Sequence, residues 1–197
     1  MRYVFVIAFV MMIGAQWYVP LSMIFESEET LLEGAEYKFR TRPVDPSDPF
    51  RGKYVTLDFE AETYHPADTN EAHFLPGEKA YAVISEERGY AVVQQLLAAP
   101  PELKLPYVEA SVQYAVSNAT FPGGQATVSL KFPFSKFYLE ESKASEAEQL
   151  YWQSRSDTAI VCYAKVRIHN GKARVVDVIV NDSSIVDVVR RINANKP

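Results

Sequence analysis

The N-terminus carries an apolar run that restricts every other interpretation of the sequence. Residues 3–25 contain no charged side chain. About 20 consecutive apolar residues allow a helix to cross the hydrocarbon core of a bilayer, which is about 30 Å thick. The run therefore predicts a transmembrane helix. Trp17 and Tyr18 suit a membrane–water interface, so we expect the helix to end near them, with Pro20 bending the exit.

The charges that flank this run predict its orientation. Arg2 precedes it, and several glutamates follow it: Glu26, Glu28, Glu29, Glu33 and Glu36. Basic residues beside a membrane helix tend to stay on the cytoplasmic side. We therefore expect a single-pass anchor in the inner (cytoplasmic) membrane. The chain then divides into an anchor over residues 1–25, a juxtamembrane spacer over 26–36, and an extracytoplasmic β-rich domain over 37–197.

Two other interpretations of the apolar run remain open. A cleaved signal peptide is one, because small residues at Gly14 and Ala15 resemble a cleavage site. We favour the uncleaved anchor, since the apolar run continues beyond Ala15 as a stop-transfer segment does. The other is a core helix of a soluble domain, but such a helix needs a polar face, and this run has none.

Alternation of apolar and polar residues predicts strands through most of the remaining chain. The predicted strands cover 36–41, 53–64, 79–87, 90–98, 107–117 and 125–134, and residues 158–181 form a hairpin. A helix is predicted over 142–154, where helix-forming residues are concentrated. The tail, 183–197, fits either a short amphipathic helix or a final strand. The predicted fold is mainly β (α+β), an antiparallel sheet or barrel-like domain with one long helix, preceded by the N-terminal transmembrane helix.

The hairpin is the best specified element, because Asn170-Gly171 is a strong turn signal. A turn at that position pairs His169 with Lys172, Arg167 with Arg174, and Cys162 with Ile179. One face of the hairpin is then apolar and predicted to be core: Ile160, Cys162, Ala164, Val166, Ile168, Val175 and Ile179.

The other face is basic, and we call it the basic hairpin face: Lys165, Arg167, His169, Lys172 and Arg174. Arginines directly opposite each other repel. An acid from elsewhere in the chain, a bound anion or a lipid headgroup would offset that repulsion. A solvated face is the simplest interpretation, and Arg167 and Arg174 are secondary candidates for anion binding.

Motifs that would identify a reaction are missing from the sequence. There is no GxSxG or SxxK nucleophile, no HExxH and no phosphate-binding glycine loop. The single cysteine, Cys162, lies on an apolar strand face, where a thiol behaves as a small hydrophobe. A net charge of −5 argues against nucleic-acid binding. No cofactor is predicted.

Two groups of polar residues are candidates for chemical sites. His65, Asp68, Glu71 and His73 share one loop, but their spacing fits no zinc pattern, so no metal site is predicted. Carboxylates are plentiful, and those of Asp58, Glu60 and Glu62 are expected to form a solvated strand face. Leu57 and Phe59, on the opposite face of that strand, are expected in the core.

The segment "RPVDPSDPFRGKYVTLDF" resembles the signature of the GDYXXLXY protein family, a family of small membrane-anchored proteins. The matching positions are Pro43, Asp45, Pro46, Asp48, Phe50, Arg51, Gly52, Tyr54 and Leu57. Lys53 replaces the family aspartate and Phe59 its last tyrosine. A second segment, "FPFSKFYLEESKASEAE", is similar to a later family block, with Glu141 and Glu148 on its glutamates.

The resemblance implies a membrane anchor, a β-rich domain and association with a multi-spanning membrane protein, and it implies no enzyme activity. The ligand or interaction candidates are Asp45, Asp48, Arg51, Gly52, Lys53, Tyr54 and Glu141. A bidentate clamp between Arg51 and one of the acids would fix the proline-rich run against the sheet. The alternative is an anchored cell-envelope hydrolase in which Asp45, Asp48 or Glu141 acts as acid or base.

Overall fold

A computed structural model describes residues 2–42, 54–66, 74–102, 105–116, 126–138 and 161–194 of the chain. The helix predicted over 142–154 lies outside these residues, as does the proline-rich run. The described part begins with helix α1, Arg2–Glu33, and ends with helix α2, Ile185–Ala194.

Helix α1 is continuous through Pro20 and through the acidic residues that follow the apolar run. The expectation that the helix ends near Trp17 was therefore wrong, and the predicted spacer is helical as far as Glu33. The residues after Phe25 are mostly good helix formers, so the helix extends where the sequence becomes acidic. At 1.5 Å per residue, the whole helix is about 48 Å long.

The rest of the described chain forms antiparallel strands, as predicted. The strands are β1 Ala35–Arg42, β2 Tyr54–Thr56, β3 Asp58–Phe59, β4 Thr63–Tyr64, β5 Lys79–Glu87, β6 Tyr90–Leu97, β7 Tyr107–Val116, β8 Thr127–Lys131, β9 Lys136–Tyr138, β10 Cys162–His169, β11 Lys172–Val180 and β12 Ser183–Ser184. One five-stranded sheet has the order β12-β11-β10-β1-β3 and another has the order β4-β8-β7-β5-β6, while β2 pairs with β9. Together the sheets form a nearly closed barrel.

The strand predicted over 53–64 is broken into three short pieces and a 3-10 turn, Glu60–Glu62. Strand β2 pairs with β9, β3 with β1, and β4 with β8. This segment therefore passes from one sheet to the other. The Arg42 guanidinium stabilises the crossing, because it donates to the carbonyl oxygens of Phe59 and Glu60 and to Thr63 Oγ1 at 2.6–3.2 Å.

The core lies between the sheets and is centred on four phenylalanines, Phe39, Phe59, Phe132 and Phe134. Their ring centroids are 5.1–6.2 Å apart. Edge-to-face and offset aromatic pairs of this kind stabilise a core beyond the area they bury. Leu57 and Phe59 are fully buried here, which confirms that they are core residues.

The β10–β11 hairpin forms with the predicted turn, and His169 pairs with Lys172 and Arg167 with Arg174. The predicted pairing of Cys162 with Ile179 was wrong, because a β-bulge after Lys165 moves the register by one residue and pairs Cys162 with Val180. Val178 therefore faces the core, and Ile179 is buried outside the main core cluster. Ile160 lies outside the described residues.

The tail contains both of the elements that the sequence left open. Strand β12 pairs with β11, and helix α2 follows immediately. Ile185, the first residue of α2, is fully buried, so the helix is attached to the sheet at its N-terminal end.

Candidate interaction site

The apolar surface of α1 is the most unusual feature of the described chain. The span Tyr3–Glu33 is long and apolar enough to cross a membrane, and none of its most apolar stretch is buried. Phe5, Trp17 and Phe25 are 74%, 66% and 67% exposed. Soluble monomers rarely expose contiguous apolar patches larger than a few hundred Å². A surface of this kind requires a bilayer or an apolar protein surface around it.

A single residue, Gly34, connects α1 to strand β1. Its N–H donates to the Thr30 carbonyl oxygen at 3.1 Å. A Cβ atom at position 34 would lie 2.3 Å from that same oxygen and 3.1 Å from Arg167 Cβ. Only glycine fits between the helix end and β10, so the helix enters the sheet without a flexible linker.

The basic hairpin face packs against the last turns of α1. Arg167 donates to the Leu31 carbonyl oxygen, and Arg174 Nε donates to Ser27 Oγ at 3.0 Å. Lys172 Nζ lies 3.9 Å from Glu26 Oε2. Carbonyl oxygens at a helix C-terminus carry the negative end of the helix dipole, so cations are stabilised there. The helix end therefore offsets the repulsion between the two arginines. The sequence had suggested a solvated face, an acid, an anion or a lipid headgroup, and it had not suggested a helix end.

His169 completes this contact. Its Nε2 lies 3.5 Å from Glu29 Oε1 and 4.0 Å from Glu33 Oε2. The contribution of the glutamates was missed in the sequence, where they were assigned to a spacer. Their spacing of three and four residues places Glu26, Glu29 and Glu33 on one side of a helix, and this was the signal that would have found them. An anion-binding role for Arg167 and Arg174 stays a prediction.

Most of the signature residues lie outside the described part of the chain: Asp45, Asp48, Arg51, Gly52, Lys53 and Glu141. Tyr54 is described in its backbone only, and it opens β2 opposite Tyr138, the last residue of β9. Because β2 and β9 are antiparallel, the chain enters β2 and leaves β9 at the same end of this ladder. The two sequence segments that carry the family resemblance are therefore joined by main-chain pairing.

Glu62 is buried, which corrects the expectation that it belongs to a solvated strand face. Its Oε2 accepts from Phe59 N–H at 3.2 Å and its Oε1 from Phe132 N–H at 3.0 Å. Lys131 Nζ lies 3.7 Å from Glu62 and 2.7 Å from Asp58. Burial raises the pKa of the Glu62 carboxyl, although both N–H donors and Lys131 act in the opposite direction.

Buried acids with a raised pKa are often catalytic, but both carboxyl oxygens of Glu62 already accept hydrogen bonds from the backbone. Each oxygen accepts from a backbone N–H in a different part of the chain, namely Phe59 at the end of β3 and Phe132 directly after β8. A carboxylate used in this way fixes the crossing between the sheets. We therefore assign Glu62 a structural role.

An open cleft of about 650 Å³ lies beside the 3-10 turn and the β5–β6 turn. Its lining includes Arg40, Glu60, His65, Arg88 and Tyr90. The Arg40 guanidinium lies over the Tyr90 ring, 5.1 Å from its centroid, and 3.9 Å from Glu60 Oε1. The acids of the hydrolase alternative, Asp45, Asp48 and Glu141, lie outside the described residues, and that alternative stays a prediction.

The Cys162 thiol is 8% exposed on the core face of β10. Burial raises its pKa to about 11. The thiol is therefore protonated at neutral pH and packs as a small apolar side chain, as the strand pattern indicates.

The family model described as "GDYXXLXY protein" matches residues 16–178 of the chain. The chain belongs to this family. The match begins inside α1 and ends in β11, so in this GDYXXLXY protein it includes the helix junction, the basic hairpin face and both strands β2 and β9. No curated protein and no solved structure matches the chain.

Proposed function

We propose that this GDYXXLXY protein is anchored in the inner membrane by a single span, carries an extracytoplasmic β domain, and binds a multi-spanning membrane protein. The observation that carries the proposal is the exposed apolar helix that runs without a linker into the sheet. A domain that only needs tethering tolerates a flexible linker. A one-residue junction instead fixes the domain relative to the membrane helix, and a fixed orientation favours docking on a membrane partner.

The length of α1 supports a position close to the membrane. Residues 3–25 extend about 35 Å as a helix, which matches a hydrocarbon core of about 30 Å with a modest tilt. The helical residues 26–33 add about 12 Å. The end of α1 that contacts the sheet is then at the level of the lipid headgroups, within reach of the loops of a multi-spanning protein.

The membrane orientation is tested by labelling single cysteines with a membrane-impermeant maleimide in intact cells. Cys162 gives little background because its thiol is buried and protonated. We expect Arg88→Cys, in the β5–β6 turn, to react before the cells are permeabilised, and Tyr3→Cys to react only afterwards. The reverse pattern would exclude an extracytoplasmic domain, and release of the domain from membranes would indicate signal-peptide cleavage.

The partner is tested by photo-crosslinking from α1 in native membranes. A photoreactive residue at Phe9, within the apolar run, is compared with one at Tyr114, which is 53% exposed on β7. We expect Phe9 to give an adduct with a protein that mass spectrometry identifies as multi-spanning. Adducts with lipid only, or with a second copy of this chain only, would count against the proposed partner.

A further inference from the structure

Three potential metal ligands converge where α1 meets the β10–β11 hairpin. Glu29 and Glu33 are four residues apart on the last turns of α1, and His169 is the last residue of β10. Their nearest donor atoms, one from each side chain, all lie within 4.8 Å of one another. The group therefore combines side chains from two elements that are distant in sequence, whereas a run of acidic residues on one helix comes from a single element.

The distances fit a small tetrahedral cation. Bonds of 2.0–2.2 Å place the ligand atoms of a tetrahedral Zn²⁺ site about 3.4 Å apart. His169 Nε2 is 3.5 Å from Glu29 Oε1 and 4.0 Å from Glu33 Oε2. Both glutamate side chains are more than half exposed. Small rotations of these two side chains would bring all three donors to bonding distance, with solvent free to occupy the fourth position.

Asn170 supplies a second observation at the same place. Its side-chain amide nitrogen lies 2.9 Å from His169 Nε2. The oxygen and nitrogen of an amide occupy equivalent positions, so a half-turn of the group presents Oδ1 to the same point. The amide oxygen of the turn residue can then take the fourth coordination position in place of solvent.

The electrostatic setting also favours a cation. Two carboxylates supply two negative charges, and the C-terminal carbonyl groups of α1 add the negative end of the helix dipole. The neighbouring cations contact other groups, since Lys172 is near Glu26, Arg167 donates to Leu31 O and Arg174 donates to Ser27. An imidazole ligand selects zinc, nickel, cobalt or copper over Mg²⁺ and Ca²⁺.

We propose that Glu29, Glu33 and His169 bind a late first-row divalent cation, represented by Zn²⁺, which clamps the end of the membrane helix to the β domain. The bound ion replaces the contacts of His169 with the two glutamates by bonds to the metal. This site does not depend on the proposed partner, and the two proposals fail separately.

The test measures Zn²⁺ binding to the full chain in detergent micelles after metal is removed with a chelator. Competition with a chromophoric chelator gives the affinity. We expect one Zn²⁺ per chain, and a loss of at least about tenfold in affinity for His169→Asn and for Glu29→Gln, since even residues that only support a ligand change affinity by this much. Glu28→Gln, on the same helix turn, and His65→Asn are the matched controls and should bind as the wild type does.

Hydrogen exchange at residues 26–33 is a second measurement. A general loss of stability would not produce the same dependence of exchange on Zn²⁺. Zn²⁺ should slow exchange there in the wild type and in Glu28→Gln, and should have no effect in Glu29→Gln. Equal binding by the wild type and His169→Asn would overturn the proposal. So would protection that is the same with and without Zn²⁺, because that result describes an ion-pair contact only.

Discussion

The replacement Gly34→Ala tests the junction between α1 and the sheet. The added Cβ would lie 2.3 Å from the Thr30 carbonyl oxygen, about 1 Å inside ordinary contact, and 3.2 Å from the Ile168 backbone nitrogen. The nearest atoms belong to the backbone, so a rotamer change cannot relieve the clash. The backbone at position 34 and the last turn of α1 must move apart by about 1 Å, which weakens the Gly34–Thr30 hydrogen bond and disturbs the contact of Arg167 with Leu31.

Overpacking of this size costs about 1–3 kcal/mol, and a weakened hydrogen bond adds about 1 kcal/mol. We therefore expect Gly34→Ala to reduce the free energy of unfolding by about 2–4 kcal/mol. Chemical denaturation of the full chain in micelles measures this loss, and hydrogen exchange at residues 26–33 locates it.

Gly14→Ala is the matched control, because a Cβ at that position meets nothing within 4 Å. Alanine is the better helix former, so this change should be neutral or stabilising by up to about 1 kcal/mol. Equal effects of the two replacements would refute the argument that a close backbone approach at Gly34 fixes the helix.

Three further predictions concern the stability of the fold. Gly171→Ala should cost about 0.5–1.5 kcal/mol more than Gly89→Ala in thermal or chemical unfolding. Both glycines have φ near +80°, but only Gly171 would place its Cβ 2.5 Å from Tyr107 Cε2, so the tyrosine ring must leave its rotamer to make room. Equal losses would show that backbone strain alone decides both. Because burial raises the pKa of Glu62 in the folded state, the stability of the wild type relative to Glu62→Gln should be greatest below about pH 4.3 and should decline as the pH rises through the folded-state pKa. A difference that stays constant between about pH 4 and pH 7 would contradict the buried-acid argument. A double-mutant cycle with Arg51→Gln and Glu141→Gln should give a coupling of at least about 1 kcal/mol if the predicted clamp forms, and additive effects would remove it.

The sequence predicted most of the strands because their signals are local. Alternation defined β5, β7 and β10, and Asn170-Gly171 defined the hairpin turn, where Asn170 has the positive φ of 47° that this turn requires. Arg88-Gly89 turns in the same way, with φ of 52° and 80°. Such patterns need only neighbouring residues to act, so one sequence is enough to recognise them.

The errors occur where a distant contact decides the local structure. Alternation over 53–64 looks the same whether the strand keeps one partner or changes partners twice, as this one does. The burial of Glu62 depends on Phe132, 70 residues further along the chain. The β-bulge after Lys165 is not indicated by any residue type at that position.

The candidate site was predicted in part. The like-charged pair of Arg167 and Arg174 indicated that something must offset the basic hairpin face, but the sequence did not identify the end of α1 as that partner. Because residues 26–36 were expected to form a spacer, the helical spacing of their glutamates was not recognised. The interaction roles of the signature residues around Arg51 and Glu141 stay predictions. The pairing of β2 with β9 supports them, because it joins the two segments that carry these residues.

The one-residue junction at Gly34 leads us to infer that α1 and the β domain move as one rigid body. Pulsed EPR can measure the distance between spin labels at Gln16→Cys and Arg88→Cys, in a Cys162→Ala chain in lipid nanodiscs. We expect one narrow distance distribution, and a broad one only when a flexible Gly-Ser linker is inserted after Gly34. A distribution that is already broad without the insertion would contradict it.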